Sequence, residues 1–214
     1  YSDQNDQLIQ NRLIKQAIRL GQLIIDLIPG HSESLGLLSL MYFHKARTTA
    51  RTGSHFIDLA TQNRSLWNRK EITIANQLFE KAIKLKALGP FQIQAAISGV
   101  HSQAKSFQDT DWKQITRLYE KLLGQQNNVI ILINYAVSLS YSGQAPQALI
   151  ILEQMKSDQS ILKYLPYYVT LAHVFVGLSK NNQAIACLDQ AIALSQNSIE
   201  KKYLNHKRQS LVTL

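Results

Sequence analysis

Residues 89–112, GPFQIQAAISGVHSQAKSFQDTDW, spell out a helix start, a closely packed helix and a second helix start in one stretch. Pro90 stands where a helix opens, at a position whose backbone N–H would have no helical partner anyway. Gln94, Ala95, Ala96 and Ile97 offer a small-residue face that lets another helix approach closely. Asp111 and Gln114 have capping-box spacing ahead of Ile115, Leu118, Tyr119 and Leu122, which recur at helical intervals. The stretch predicts a helical hairpin.

Working outward, a repeat emerges. From Tyr168, the positions Leu171, Ala172, Phe175, Ala184, Leu188 and Ala191 put small residues where paired helices touch and large ones between, in a tetratricopeptide-like pattern. Ala136, Gly143 and Ala148 repeat part of it, and Ala148 and Ala184 are separated by slightly more than the usual repeat of about 34 residues. Ala17 to Pro29 resembles another repeat helix, as do Ala75, Phe79 and Ala82. The periodicity predicts helices over 6–27, 33–50, 69–87, 91–105, 112–124, 129–142, 145–156, 165–179, 182–195 and 198–211. The expected fold class is all-α: a right-handed tetratricopeptide-like helical-hairpin solenoid of about five hairpins. It is read as a single domain, 1–214, with N-terminal hairpins in 1–87 and tetratricopeptide-like hairpins with a capping helix in 88–214. Asn197 and Glu200 form a capping box for that last helix, whose Lys, Asn, His and Gln content suits the solvated end of a stack.

Composition narrows the function. With 214 residues and 45% apolar content the chain is able to build a core. Its longest apolar stretch, Val129 to Tyr141, is well short of the roughly twenty residues a bilayer span needs. Cys187 stands alone, so no disulfide framework or cysteine zinc site is expected within the chain, and with no basic-then-apolar leader the expected setting is cytoplasmic. The first residue, Tyr1, suggests a piece of something longer. The net charge of +9 is spread along the chain. Its local clusters, Lys81, Lys84 and Lys86, then Lys201, Lys202, Lys207 and Arg208, fit helix ends better than a nucleic-acid patch.

The long break in helical periodicity is the loop 51–67, RTGSHFIDLATQNRSLW, after which Asn68 and Glu71 supply another capping box. Loops of this length are often functional. Two readings stay open here. Trp67 plugs a groove between hairpins while Arg64 pairs with a helix C-terminus, or the loop docks a partner, since Arg and Trp are enriched at binding hot spots. The partner-binding candidates are Gln62, Arg64, Ser65 and Trp67. No catalytic, cofactor-binding or metal-ligating residue is assigned. His31, His44, His55, His101, His173 and His206 form no HExxH pair, and no GxSxG elbow, phosphate-binding loop or dinucleotide fingerprint occurs. The chain is therefore not expected to be an enzyme.

A family resemblance rests on an ordered series of stretches: LGLLSLMYFHKAR at 35–47, QNRSLWNR at 62–69, GPFQIQAAISGVH at 89–101, TDW at 110–112 followed by LYEKLL, and NYAV at 134–137. Asn197, Glu200 and Leu204 match the closing helix. Over nearly its whole length the chain resembles the C-terminal tetratricopeptide-like extension of one group of extracytoplasmic-function sigma factors, bacterial initiation factors of the sigma-70 type. The resemblance implies a regulatory or interaction module whose partners are its own sigma domains, the RNA polymerase core or an accessory regulator. Promoter DNA would then be reached only through N-terminal domains absent from this chain. Relatives usually carry acidic residues around a QDRS-W core in the long loop. Here Ala60, Thr61 and Asn63 stand in their place, so no role resting on those carboxylates is expected. The alternative is a generic tetratricopeptide-like peptide-binding scaffold unrelated to transcription.

Overall fold

A computed structural model of the chain describes residues 2–51 and 57–212, with side chains from Arg12 onward; Tyr1, His55 and the rest of 52–56 lie outside the described residues. Among the described residues the chain is all-α, without a strand. The helices are α1 (Ser2–Leu27), α2 (Ser32–Ala46), α3 (Thr48–Arg51), α4 (Arg69–Lys84), α5 (Pro90–Gln103), α6 (Trp112–Leu123), α7 (Val129–Tyr141), α8 (Ala145–Met155), α9 (Leu165–Gly177), α10 (Asn181–Leu194) and α11 (Ser198–Val212).

Their boundaries follow from local chemistry. Asn68 accepts from the N–H groups of Lys70 (3.0 Å) and Glu71 (3.3 Å), Asn128 from Ile131 (3.0 Å), and Asn197 from Ile199 (2.8 Å) and Glu200 (3.2 Å). Proline occupies the first turn of α5, α8 and α9. Two of the three expected capping boxes, those of Asn68 with Glu71 and Asn197 with Glu200, use their acids elsewhere. Glu71 pairs with Lys45 at 2.7 Å, and Glu200 accepts from the Ser195 hydroxyl at 2.6 Å.

One predicted helix is broken. The span read as continuous over 33–50 divides at Arg47 into α2 and α3. Thr48 bonds back to the Lys45 carbonyl (2.8 Å), competing with the helical ladder, and the released Ala46 carbonyl accepts from Asn68 N–H (2.9 Å) at the start of α4.

Packing divides the chain into two compact units, Tyr1–Thr52 with Asp58–Asp111, and a second that holds Trp112–Leu214. The division falls after α5, whereas the sequence boundary at 87/88 falls before it. The reason is the grip of α2 on α5. A Cβ on Gly36 would come within 2.8 Å of the Gln92 backbone nitrogen, so the two helices cross at a bare glycine. The Glu33 carboxylate reaches across to cap α5, accepting from Phe91 N–H (2.9 Å) and Gln92 N–H (3.2 Å) where Gly89 has no side chain to offer. Within this first unit α2 is the hub, packed on α1, α4 and α5. Its core joins Phe43, Ala46, Ala50, Trp67, Ile72, Ala75 and Ala95.

The second unit stacks α6 to α11 on sequence neighbours, and α7 packs on α9 as well. Ala136, Leu139, Ala148 and Leu152 are buried, and so, thirty-six positions on, are Ala172, Phe175, Ala184 and Leu188. The turns correspond too. Gly143 and Ser179 both have positive φ, and the next N–H bonds back at 2.8 Å in each, Gln144 to Leu139 and Lys180 to Phe175.

Candidate functional site

The part of the long loop after residue 56 is built from side-chain turns. Asp58 accepts from Thr61 N–H (2.9 Å), and its carbonyl accepts from Gln62 N–H (3.1 Å). Asn63 then accepts from the N–H (3.0 Å) and hydroxyl (2.7 Å) of Ser65, starting a single 3₁₀ turn, Arg64–Leu66. The amide of Asn63 thus supplies a cap that needs an oxygen but no charge.

That turn aims Arg64 inward. The residue is only 6% exposed, and its guanidinium donates to the carbonyls of His101 (2.6 Å) and Ala104 (3.0 Å) and to the Thr110 hydroxyl (3.0 Å). It therefore closes the C-terminal end of α5, where the last carbonyls have no helical partner and the helix dipole favours a cation. Trp67 is 3% exposed and sits in the core of the first unit. The guanidinium carbons of Arg47 and Arg64 each lie 5.0 Å from its ring centroid. Gln62 is buried and accepts from Arg47 Nε at 3.4 Å.

Of the four proposed partner-binding residues, three are thus interior to the first unit. Ser65 alone is exposed, beside exposed Leu66. Gln62, Arg64 and Trp67 are buried, and the side-chain bonds described for Gln62 and Arg64 are made within the first unit, which gives these residues a structural role there.

The cluster is rich in cations. Among the described residues Arg47, Arg51 and Arg64 form no ion pair with a carboxylate. Burial, then the charges of Arg51 and Arg64, lowers Arg47 to about 10. Burial, then Arg47 and Arg64, lowers His101 to about 3, so this imidazole is neutral at pH 7. Arg51 Nη2 and His44 Nδ1 lie 3.5 Å apart.

In the second unit Trp112 stacks on Tyr141 (centroids 4.4 Å apart), and Tyr141 meets His173 at 4.2 Å. Burial, then the Lys207 charge, holds His173 down to about 4. Cys187 is half-buried and burial raises its thiol. A groove of about 220 Å³ is lined by Ile133, Asn134, Val169, Glu200, Tyr203 and Leu204, among others. Among the described residues no group of three His, Cys, Asp or Glu side chains is placed to hold a metal ion. Nor is any helix among them long and apolar enough to cross a membrane.

Residues 1–83 match a family described as "Family of unknown function (DUF6596)". Over 194 residues, 90% of the chain, the sequence is 32% identical to "Uncharacterized protein R00370" of Rhizobium meliloti (strain 1021). The chain spans 45% of the length of that relative. No solved structure matches the chain significantly.

Proposed function

We propose that the chain is a regulatory, protein-interaction domain from the C-terminal part of a bacterial extracytoplasmic-function sigma factor. In this reading it acts in the cytoplasm in transcription initiation, modulating the factor's own sigma domains or contacting polymerase or an accessory regulator. The observation that carries it is spatial. Three of the stretches on which the resemblance rests meet in one place: 35–47 lies in and just beyond α2, 62–69 spans the 3₁₀ turn, and 89–101 lies in α5 with its cap. There Gly36 faces Gln92, Phe43 lies against Gly99, Gln62 bonds Arg47 and Arg64 bonds His101. Within this chain the residues of these three stretches share one physical purpose, which is to join three segments. The loop then serves the interaction by fixing the first unit's shape, leaving Ala60, Thr61, Asn63, Ser65 and Leu66 exposed.

The reading is tested with the full-length factor and core polymerase. Deleting the segment equivalent to 1–214 is expected to change transcription from the cognate promoter several-fold. The isolated domain should show only weak, salt-sensitive DNA binding without sequence preference, since such binding comes from phosphate contacts alone. Sequence-specific promoter binding by residues 1–214, or a reading frame that encodes no polymerase-binding and promoter-binding domains, overturns it.

A further inference from the structure

The outer face of α1 is apolar and uncovered. Leu13, Leu20 and Leu27 recur at heptad spacing and are 58%, 61% and 80% exposed, with Leu23, Ile24 and Ile28 exposed beside them. At 3.6 residues per turn these six side chains fall within an arc of about 140°, which exposed Gln16 interrupts. One margin of this stripe borders the face that packs on α2, where a Cβ on Gly21 would come within 2.9 Å of Leu38. In α11, by contrast, Lys201, Lys202, Asn205, His206 and Gln209 make the exposed face polar. An uncovered apolar stripe of this kind marks a contact surface.

Charge identifies the neighbour's chemistry. Along one margin of the stripe run Arg12, Arg19, Asp26 and Lys15, all exposed, three cations to one acid. An antiparallel two-fold pairing with a second copy would set this margin against itself, because that symmetry brings like sides together. An anionic surface is matched less well, since the cations flank one margin only and the other margin turns toward α2. We propose that the outer face of α1 docks an amphipathic helix of another protein segment, with leucine-type side chains at heptad positions and carboxylates along one edge. The inference goes beyond the transcription reading and does not rest on it.

The test uses the 1–214 chain and two labelled helical peptides of about three heptads, identical but for Glu or Lys along one edge. Fluorescence anisotropy should show the Glu peptide binding about ten-fold more tightly than the Lys peptide at low salt, with the preference shrinking as salt rises. Leu20→Ser with Leu27→Ser should abolish binding without moving the thermal midpoint, because both side chains are already in water. Arg12→Glu with Arg19→Glu keeps the apolar stripe and should reverse the preference toward the Lys peptide. Four outcomes each overturn the proposal: binding of neither peptide, equal binding of both, tighter binding to vesicles of anionic lipid than to the Glu peptide, or a dimer of the chain that buries α1.

Discussion

In the first unit the contacts that select which helix ends meet are polar. Glu33 caps α5 from α2, the Ser39 hydroxyl bonds the Ala75 carbonyl of α4 at 2.8 Å, and Arg64 closes the far end of α5. In the second unit the crossings are made by Ala136, Ala148, Ala172, Ala184 and Ala191, and its buried polar ties include Tyr167 Oη to the Leu152 carbonyl (3.1 Å) and the Thr116 hydroxyl to the Ser138 hydroxyl (3.2 Å). A repeat needs only a small residue at each crossing, since the same crossing recurs and nearest-neighbour packing propagates it. A hub that meets three different helices needs directional bonds to tell them apart, because an apolar face does not by itself specify register.

The comparison breaks most readily at Trp67. Removing a large aromatic from the centre of the hub should cost about 3–5 kcal/mol, so Trp67→Ala is expected to lower the unfolding midpoint sharply. The two tryptophans fall one in each unit, so Trp112 fluorescence in this variant follows the second unit. Arg64→Ala comes next, at about 2–4 kcal/mol, since it strips partners from buried carbonyls of α5. Arg64→Lys should recover little, because one ammonium does not reproduce a planar fork reaching two carbonyls and a hydroxyl. If Arg64→Ala leaves denaturant stability unchanged while altering transcription, the structural assignment fails and the docking role returns.

Each unit also holds a histidine kept neutral, His101 at about 3 and His173 at about 4, against 6.5 as the ordinary value. Between those values the unfolded chain binds more protons than the folded one. Stability should therefore be complete above about pH 6.5 and decline as the pH falls toward 4. His173→Phe preserves a ring against Tyr141 and should flatten the decline reported by Trp112 fluorescence. A profile equally steep in this variant would remove His173 from the account. A smaller effect is expected from Tyr167→Phe, about 1 kcal/mol for the lost bond to Leu152, well below the cost of Arg64→Ala. Equal costs would erase the distinction between the units.

Sequence periodicity made the helices legible, since Asn68, Asn197, Pro90 and the alanines of the repeat act within a turn or on a fixed spacing. The organisation of the first unit was harder to read. Glu33 acts 58 and 59 positions away from the N–H groups it caps, and Arg64 acts 37 to 46 positions away. No local pattern connects such residues. The possibility that Arg64 serves a helix C-terminus and Trp67 a groove was visible from residue type alone, but only the geometry chooses it over docking. The division at Arg47 was hidden for a similar reason, as the competing donor to Ala46 is Asn68, across the loop.

The finest test concerns the two corresponding turns of the second unit. Gly143 adopts φ +86 where the backbone must pass through the left-handed region, and Ser179 adopts φ +58 at the corresponding place in the next repeat. A residue with a Cβ pays about 1 kcal/mol there, and glycine does not, although glycine returns part of that gain through a freer unfolded chain. Ser179→Gly is therefore expected to stabilise the second unit by about 0.5 kcal/mol, and Gly143→Ser to destabilise it by about 1 kcal/mol. Denaturant titrations followed by Trp112 fluorescence resolve the signs. If Ser179→Gly instead destabilises, the Ser179 side chain contributes more than its backbone strain costs, and the two turns are alike in geometry but not in energetics.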